Sequence, residues 1–136
     1  MPLEPYLSFD GRAEEAIEFY KSAVGAEVQM LMRMKDSPEP PPPGMVPPGA
    51  ENKVMHASLR IGGSTVMIAD GRCQGKPNFH GFCLSLSVAN EAQADKAFNA
   101  LADGGKINMP LGKTFFSPRF GMLTDRFGVP WMIIVR

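Results

Sequence analysis

The stretch DRFGVPWMIIV, Asp125 to Val135, reads as a charged turn running into an almost unbroken apolar strand. Its central piece, GVPWMI (Gly128 to Ile133), resembles GSTVMI (Gly63 to Ile68) in the first half of the chain. Each is a glycine turn followed by a strand, and Met67 and Met132 fall at matching places. A chain that says the same thing twice is read as two copies of one supersecondary unit, and that decides the architecture.

Working outward, two segments have helical periodicity. In DGRAEEAIEFYKSAVG (Asp10 to Gly25), Ala13, Ala16, Ile17, Tyr20 and Val24 form an apolar stripe, with Glu14, Glu15, Glu18 and Lys21 on the other face. Asp10 is placed to cap its start and Gly25 to close its end. In NEAQADKAFNALADGG (Asn90 to Gly105), the stripe is Ala94, Ala97, Phe98 and Leu101. Asn90 and Gln93 stand in capping-box positions, and Gly104 or Gly105 ends the helix. Phe19 and Phe98 each lie six residues before their helix-ending glycine, which extends the repeat into the helices.

Short apolar runs broken by Gly and Pro predict strands at Tyr6–Phe9, Glu27–Met34, Val54–Ile61, Thr65–Ala69, Phe82–Val88, Lys106–Met109, Phe120–Thr124 and Trp131–Val135. The order is strand, helix, three strands, and then the same again. The expected fold class is therefore α+β: two βαβββ modules, about 1–71 and 79–136, in one domain of 136 residues. The halves differ most at KDSPEPPPPGMVPPGAENK, residues 35–53, which is too proline-dense for a central strand and reads as a surface connector or a lid.

Composition narrows the partners. Fourteen basic residues balance fourteen acidic ones, so nothing favours nucleic acid or an anionic membrane surface. No stretch approaches the roughly 20 apolar residues of a membrane span. The N-terminus lacks the pattern of a signal peptide, and the expected compartment is the cytoplasm. Cys73 and Cys83 lack CxxC spacing and read as reduced thiols. Ten methionines suggest a core or pocket with tolerant shape.

Three segments then carry a resemblance: PYLSFDGRAEEAIEFYKSAVGAEV (5–28), HASLRIGGSTVMIAD (56–70) and GKTFFSPRFGMLTDRFGVPWMI (112–133). In this order they resemble the PhnB-like proteins of the glyoxalase/bleomycin-resistance/dioxygenase, or vicinal oxygen chelate, superfamily. The resemblance implies sheets curving around a cup, a helix on the convex side of each, and a homodimer. In metal-using members it implies a divalent ion held by His, Gln or Glu from the first and last strands of each module.

Transferred to this chain, the last-strand positions fall on Met67 and Met132 and the first-strand positions near Pro5 and Ser85. None is a credible ligand for Mg, Mn, Zn or Fe(II), which take imidazole nitrogen or carboxylate oxygen there. A thioether suits Cu(I), but two methionines alone make a poor case for copper. The expectation is a cup with no metal and no cofactor, binding a small organic molecule. The alternatives are a metal-dependent lyase, transferase or dioxygenase with a displaced site at His56 or His80, or a dimer that sequesters a drug-like compound.

Candidate ligand contacts complete the reading. In CLSLSV, Leu84, Leu86 and Val88 alternate with Cys83, Ser85 and Ser87, so Ser85 and Ser87 can line the cup with hydroxyls. His56 can act as a general base there, whereas His80 belongs to a loop or the cup mouth. Arg119 can recognise an anionic group. Asp70 and Asp125 lack partners at motif spacing, and Asp125-Arg126 reads as a turn with a charge pair. No Walker loop, GxGxxG, GxSxG or Cys-His pairing occurs. Proteins of this kind are sometimes labelled methyltransferases of ubiquinone synthesis, and no glycine-rich nucleotide motif supports that label here.

Overall fold

The computed structural model describes residues 1–39, 49–71 and 77–136. These form two compact units, Met1–Pro77 and Asn78–Arg136, each with the order strand, helix, three strands. The first holds β1 (Tyr6–Ser8), α1 (Ala13–Val24), β2 (Glu27–Arg33), β3 (Val54–Ile61) and β4 (Ser64–Ala69). The second holds β5 (Leu84–Val88), α2 (Glu91–Ala102), β6 (Lys106–Gly112), β7 (Phe120–Thr124) and β8 (Pro130–Val135). A 3-10 turn, Met34–Asp36, follows β2, so the strand stops at Arg33 rather than reaching Met34 as its apolar run suggests.

The two sheets share one topology, β1-β4-β3-β2 and β5-β8-β7-β6. In each, the first strand lies parallel to the last and the other pairings are antiparallel. The hydrophobic pattern fixes which face meets the helix. Leu7, Ala57, Leu59, Ile61, Val66 and Ile68 are buried on the α1 side, with Ile17 and Tyr20 from the helix. Leu123, Trp131, Ile133 and Val135 are buried on the α2 side, with Phe98 and Leu101. Gly121 shows the closeness of this packing, since a Cβ there would lie 2.8 Å from the Phe98 ring. Each large side chain so buried contributes roughly 1.5–3 kcal/mol.

The repeat extends to an irregularity. The pairing of β2 with β3 shifts between Val28 and Met30, and that of β6 with β7 shifts between Ile107 and Met109. Glu27-Val-Gln-Met30 and Lys106-Ile-Asn-Met109 therefore carry the same bulge, at Gln29 and Asn108.

The helices align differently from the sequence expectation. Buried Ala13, Ala16, Ile17 and Tyr20 match buried Ala94, Ala97, Phe98 and Leu101 one for one. Phe98 thus corresponds to Ile17. Phe19 is only half-buried and packs its ring against Tyr20 at 5.5 Å. The glycine count misled because α1 runs further past its buried stripe, so that Tyr20 to the start of β2 at Glu27 is two residues longer than Leu101 to the start of β6 at Lys106.

Asn90 accepts from the Gln93 amide and Gln93 accepts from the Ala89 amide, so α2 is capped much as its sequence suggests. At α1 the expectation fails. Asp10 occupies the turn with φ 49° and does not cap. The cap is Asp70, 1% exposed, whose Oδ1 accepts from the Gly11 and Ala13 amides and whose Oδ2 accepts from Val54. One carboxylate from the end of β4 therefore ties down the start of α1 and the start of β3.

Candidate functional site

The register brings specific side chains together on the sheet faces turned away from the helices. In the first sheet, Met67 lies between Tyr6 on β1 and Ser58 on β3, and Ser58 pairs in turn with Met30. His56, two residues before Ser58, pairs with Met32. Its ring lies 5.7 Å from that of Tyr6 at an interplanar angle of 32°. In the second sheet, Met132 lies between Ser85 on β5 and Met122 on β7, and Met122 pairs with Met109. Met67 and Met132 thus hold equivalent places, each beside its module's first strand. Tyr6, not Pro5, is the first-strand partner of Met67, a position the sequence located only to within a residue.

Ser85 and Ser87 are exposed, while Leu84, Leu86 and Val88 are half-buried, as their alternation predicts. Ser87 Oγ accepts from Arg136 Nε at 3.0 Å. The next row runs Ser87, Ile134, Phe120 and Gly112. Phe116 packs edge-on to Phe120 with centroids 5.0 Å apart.

Arg119 goes elsewhere. Its Nε and Nη2 donate to Asp95 Oδ1 on α2 at 2.9 and 2.7 Å, which already supplies the guanidinium with a carboxylate. His80 is exposed in the segment before β5. Cys83 is a free thiol, and Cys73 lies outside the described residues, as does 40–48 of the proline-rich loop. The ends of that loop are tied together, with Met34 N donating to Lys53 O and Lys35 N to Glu51 O.

Two residues that spacing left without partners are structural hubs. Asp70 is the clasp described above. Asp125, 3% exposed, accepts from the Phe127 and Val129 amides on Oδ1 and from Trp131 Nε1 on Oδ2. Arg126 reaches across to Asp103, donating to its carbonyl and its carboxylate. Asp70 works across 57 and 59 residues of chain, whereas the Asp125 bonds are all within six residues, inside the turn that the sequence already marks.

Among the titrating groups, Glu14 has its carboxyl held below the ordinary glutamate range, chiefly by the hydrogen bonds from Arg33. The two form a bidentate pair with Nη2 to Oε2 at 2.6 Å and Nη1 to Oε1 at 3.1 Å. This pair stands beside a cavity of about 130 Å³ lined by Gly11, Glu14, Gly49, Asn52, Lys53, Val54 and Asp70.

The fit to a hard divalent ion is poor. A phenol, two thioethers and a serine hydroxyl hold the four strand positions, and Mg, Mn or Zn would want carboxylate or imidazole there. Among the described residues no three His, Cys, Asp or Glu side chains are grouped to hold a metal ion.

Tandem βαβββ modules, each with its first strand parallel to its last and a helix on one face, define an α+β protein of the glyoxalase/bleomycin-resistance type. A glyoxylase/bleomycin resistance protein/dioxygenase domain from Frankia sp. EAN1pec shares this fold, with a TM-score of 0.68 over 98% of this chain and 93% of that one, at 13% identity. Within that class, residues 2–134 match the model of the 3-demethylubiquinone-9 3-methyltransferase family, and the chain belongs to this PhnB-like family. The PhnB protein from Bacillus cereus is 30% identical, with a TM-score of 0.80 and full coverage of both chains. Protein YjdN from Escherichia coli K12 is 41% identical over 99% of this chain and 95% of its own length.

Proposed function

We propose that this PhnB-like protein binds a small organic molecule on the sheet faces opposite the helices, with no hard divalent ion at the Met67 and Met132 positions. The observation that carries the reading is the equivalent register of those two methionines, each beside a first-strand residue that is also no hard-metal ligand. The candidate contacts are Met132, Ser85 and Ser87 on the second sheet and Met67 and His56 on the first, each set on its own module's open face. Thioethers supply adaptable apolar surface and the serines supply hydrogen bonds. Arg119 is left out, since Asp95 engages its guanidinium.

Methyl transfer, the activity in the family's description, is not part of the proposal. The β1–α1 turn has a single glycine, Gly11, and the amides at the start of α1 are taken by Asp70 rather than left open to a cofactor.

Metal analysis of untagged protein tests the metal-free part. One equivalent of Mn, Fe, Ni or Zn per chain would refute it. Calorimetric titration with a panel of organic compounds tests the rest: binding weakened in Met132→Ala and Ser85→Ala supports these contacts, and binding unaffected by either removes them.

A catalytic reading is favoured by one observation, the packing of His56 against Tyr6 on the open face. In that reading His56 is a general base, and His56→Ala abolishes turnover while weakening binding far less. Binding without turnover in the unaltered protein instead supports a sequestering role. We further propose a homodimer, because edge strands β2 and β6 expose Val28, Met30, Ile107 and Met109. Light scattering reads the mass directly.

A further inference from the structure

The second sheet contains a donor set that the sequence shows only in part. Met132 pairs with Met122, and Met122 pairs with Met109, so three thioethers stand in one row across β8, β7 and β6. They lie on the face away from α2. The core on the other side is filled by Leu123, Trp131, Ile133 and Phe98, so these methionines do not pack it. Met109 is 45% exposed, and Met122 and Met132 are half-buried.

Neighbouring strands lie about 4.8 Å apart, which puts Met109 and Met132 about 9.6 Å apart with Met122 between them. Methionine is long, unbranched and freely rotating, so the outer two sulfurs can lean inward over the middle one. The surroundings select among ions. Ser85 adds a neutral oxygen beside Met132, and Ile134 and Phe120 make the next row apolar. Lys106, opposite Thr124, borders the other side, where its charge opposes a divalent ion more than a monovalent one. Neutral, polarizable sulfur without a carboxylate offers little to Mg, Mn or Zn and suits a soft monovalent ion.

We infer that Met109, Met122 and Met132 form a thioether site for a soft monovalent metal ion, Cu(I) or Ag(I). The first module is a built-in control, because Ser58 interrupts the corresponding row between Met67 and Met30. The inference does not rest on the organic-ligand reading, and either can fail while the other stands.

The test is a titration of full-length protein carrying 13C-labelled methionine methyl groups with silver nitrate in chloride-free buffer. It uses the Cys73→Ser/Cys83→Ser background, since thiolates would compete for the ion. The methyl signals of Met109, Met122 and Met132 are expected to move together and saturate at one ion per chain. Met122→Leu, a nearly volume-conserving change, should weaken binding by about tenfold or more, with Met109→Leu as the second variant should the first fail to fold. Met67→Leu should bind as the parent does, and Zn(II) should leave the three signals in place. The inference is overturned by a drift of all methionine signals without saturation, by unchanged affinity in the folded leucine variants, or by an equal response to Zn(II).

Discussion

The two modules share a backbone more closely than they share a surface. Strand order, the parallel first-to-last pairing, the buried helix stripe and the bulge in the outer strand are common to both. Their open faces differ: Tyr6, His56 and Ser58 surround Met67 in the first, whereas Ser85 and two further methionines flank Met132 in the second. Register and helix packing constrain every residue of a strand at once, since a one-residue slip reverses all its side chains. An exposed side chain is constrained by its own neighbours alone, so chemistry diverges where architecture does not.

The helix equivalence gives the largest expected effect. Phe98 fills the core position that Ile17 fills in the first module, so Phe98→Ala should cost about 3–5 kcal/mol in urea denaturation. Phe19→Ala should cost much less. Equal losses would restore the glycine-counted alignment.

Next come the two buried aspartates, which do similar work at different places. Asp70→Ala and Asp125→Ala each strand three donors, two of them buried at Asp70 and all three at Asp125, and should cost about 3 kcal/mol or more. Only Asp125→Ala removes the partner of Trp131 Nε1, so it alone should shift native tryptophan emission. A shift in the Asp70 variant would show that the clasps are coupled.

A smaller difference lies just before β2 and β6. The shared bulge aligns Ala26 with Gly105, yet a Cβ at Gly105 would run into the Thr124 carbonyl oxygen. Gly105→Ala should cost about 1–3 kcal/mol, toward the upper end because the obstacle is backbone. Ala26→Gly, which only loosens a strand margin, should cost about 1 kcal/mol.

The smallest effect concerns pH. The Glu14 carboxyl is lowered in the folded protein, so the stability its pairing adds is present above the ordinary glutamate range. It is lost as pH falls through the depressed folded value. Glu14→Gln should therefore narrow the gap between melting temperatures at pH 7 and pH 3 slightly, and a widened gap would reverse the sign.

Much of this fold was legible in the sequence because its strands are short apolar runs bounded by Gly and Pro, and because α2 carries its own cap in Asn90. The cap of α1 was not legible, since Asp70 stands 57 residues from Ala13 and is brought there only by the parallel pairing of β4 with β1. The candidate site was half legible. Met67 and Met132 were found through the repeat, but Met122 and Met109 enter only through cross-strand register, which no local pattern encodes. Arg119 looked available in the sequence because its partner, Asp95, stands 24 residues earlier on α2.

The matching bulges at Gln29 and Asn108 also bear on history. A supernumerary residue at the same step of both outer strands is most simply inherited from a single ancestral module that already had the kink when it was copied. Deleting either residue would let the outer strand match its partner step for step, with Met30 still opposite Ser58 and Met109 still opposite Met122, so what each extra residue contributes is local bend and twist at the sheet edge rather than the facing of a side chain.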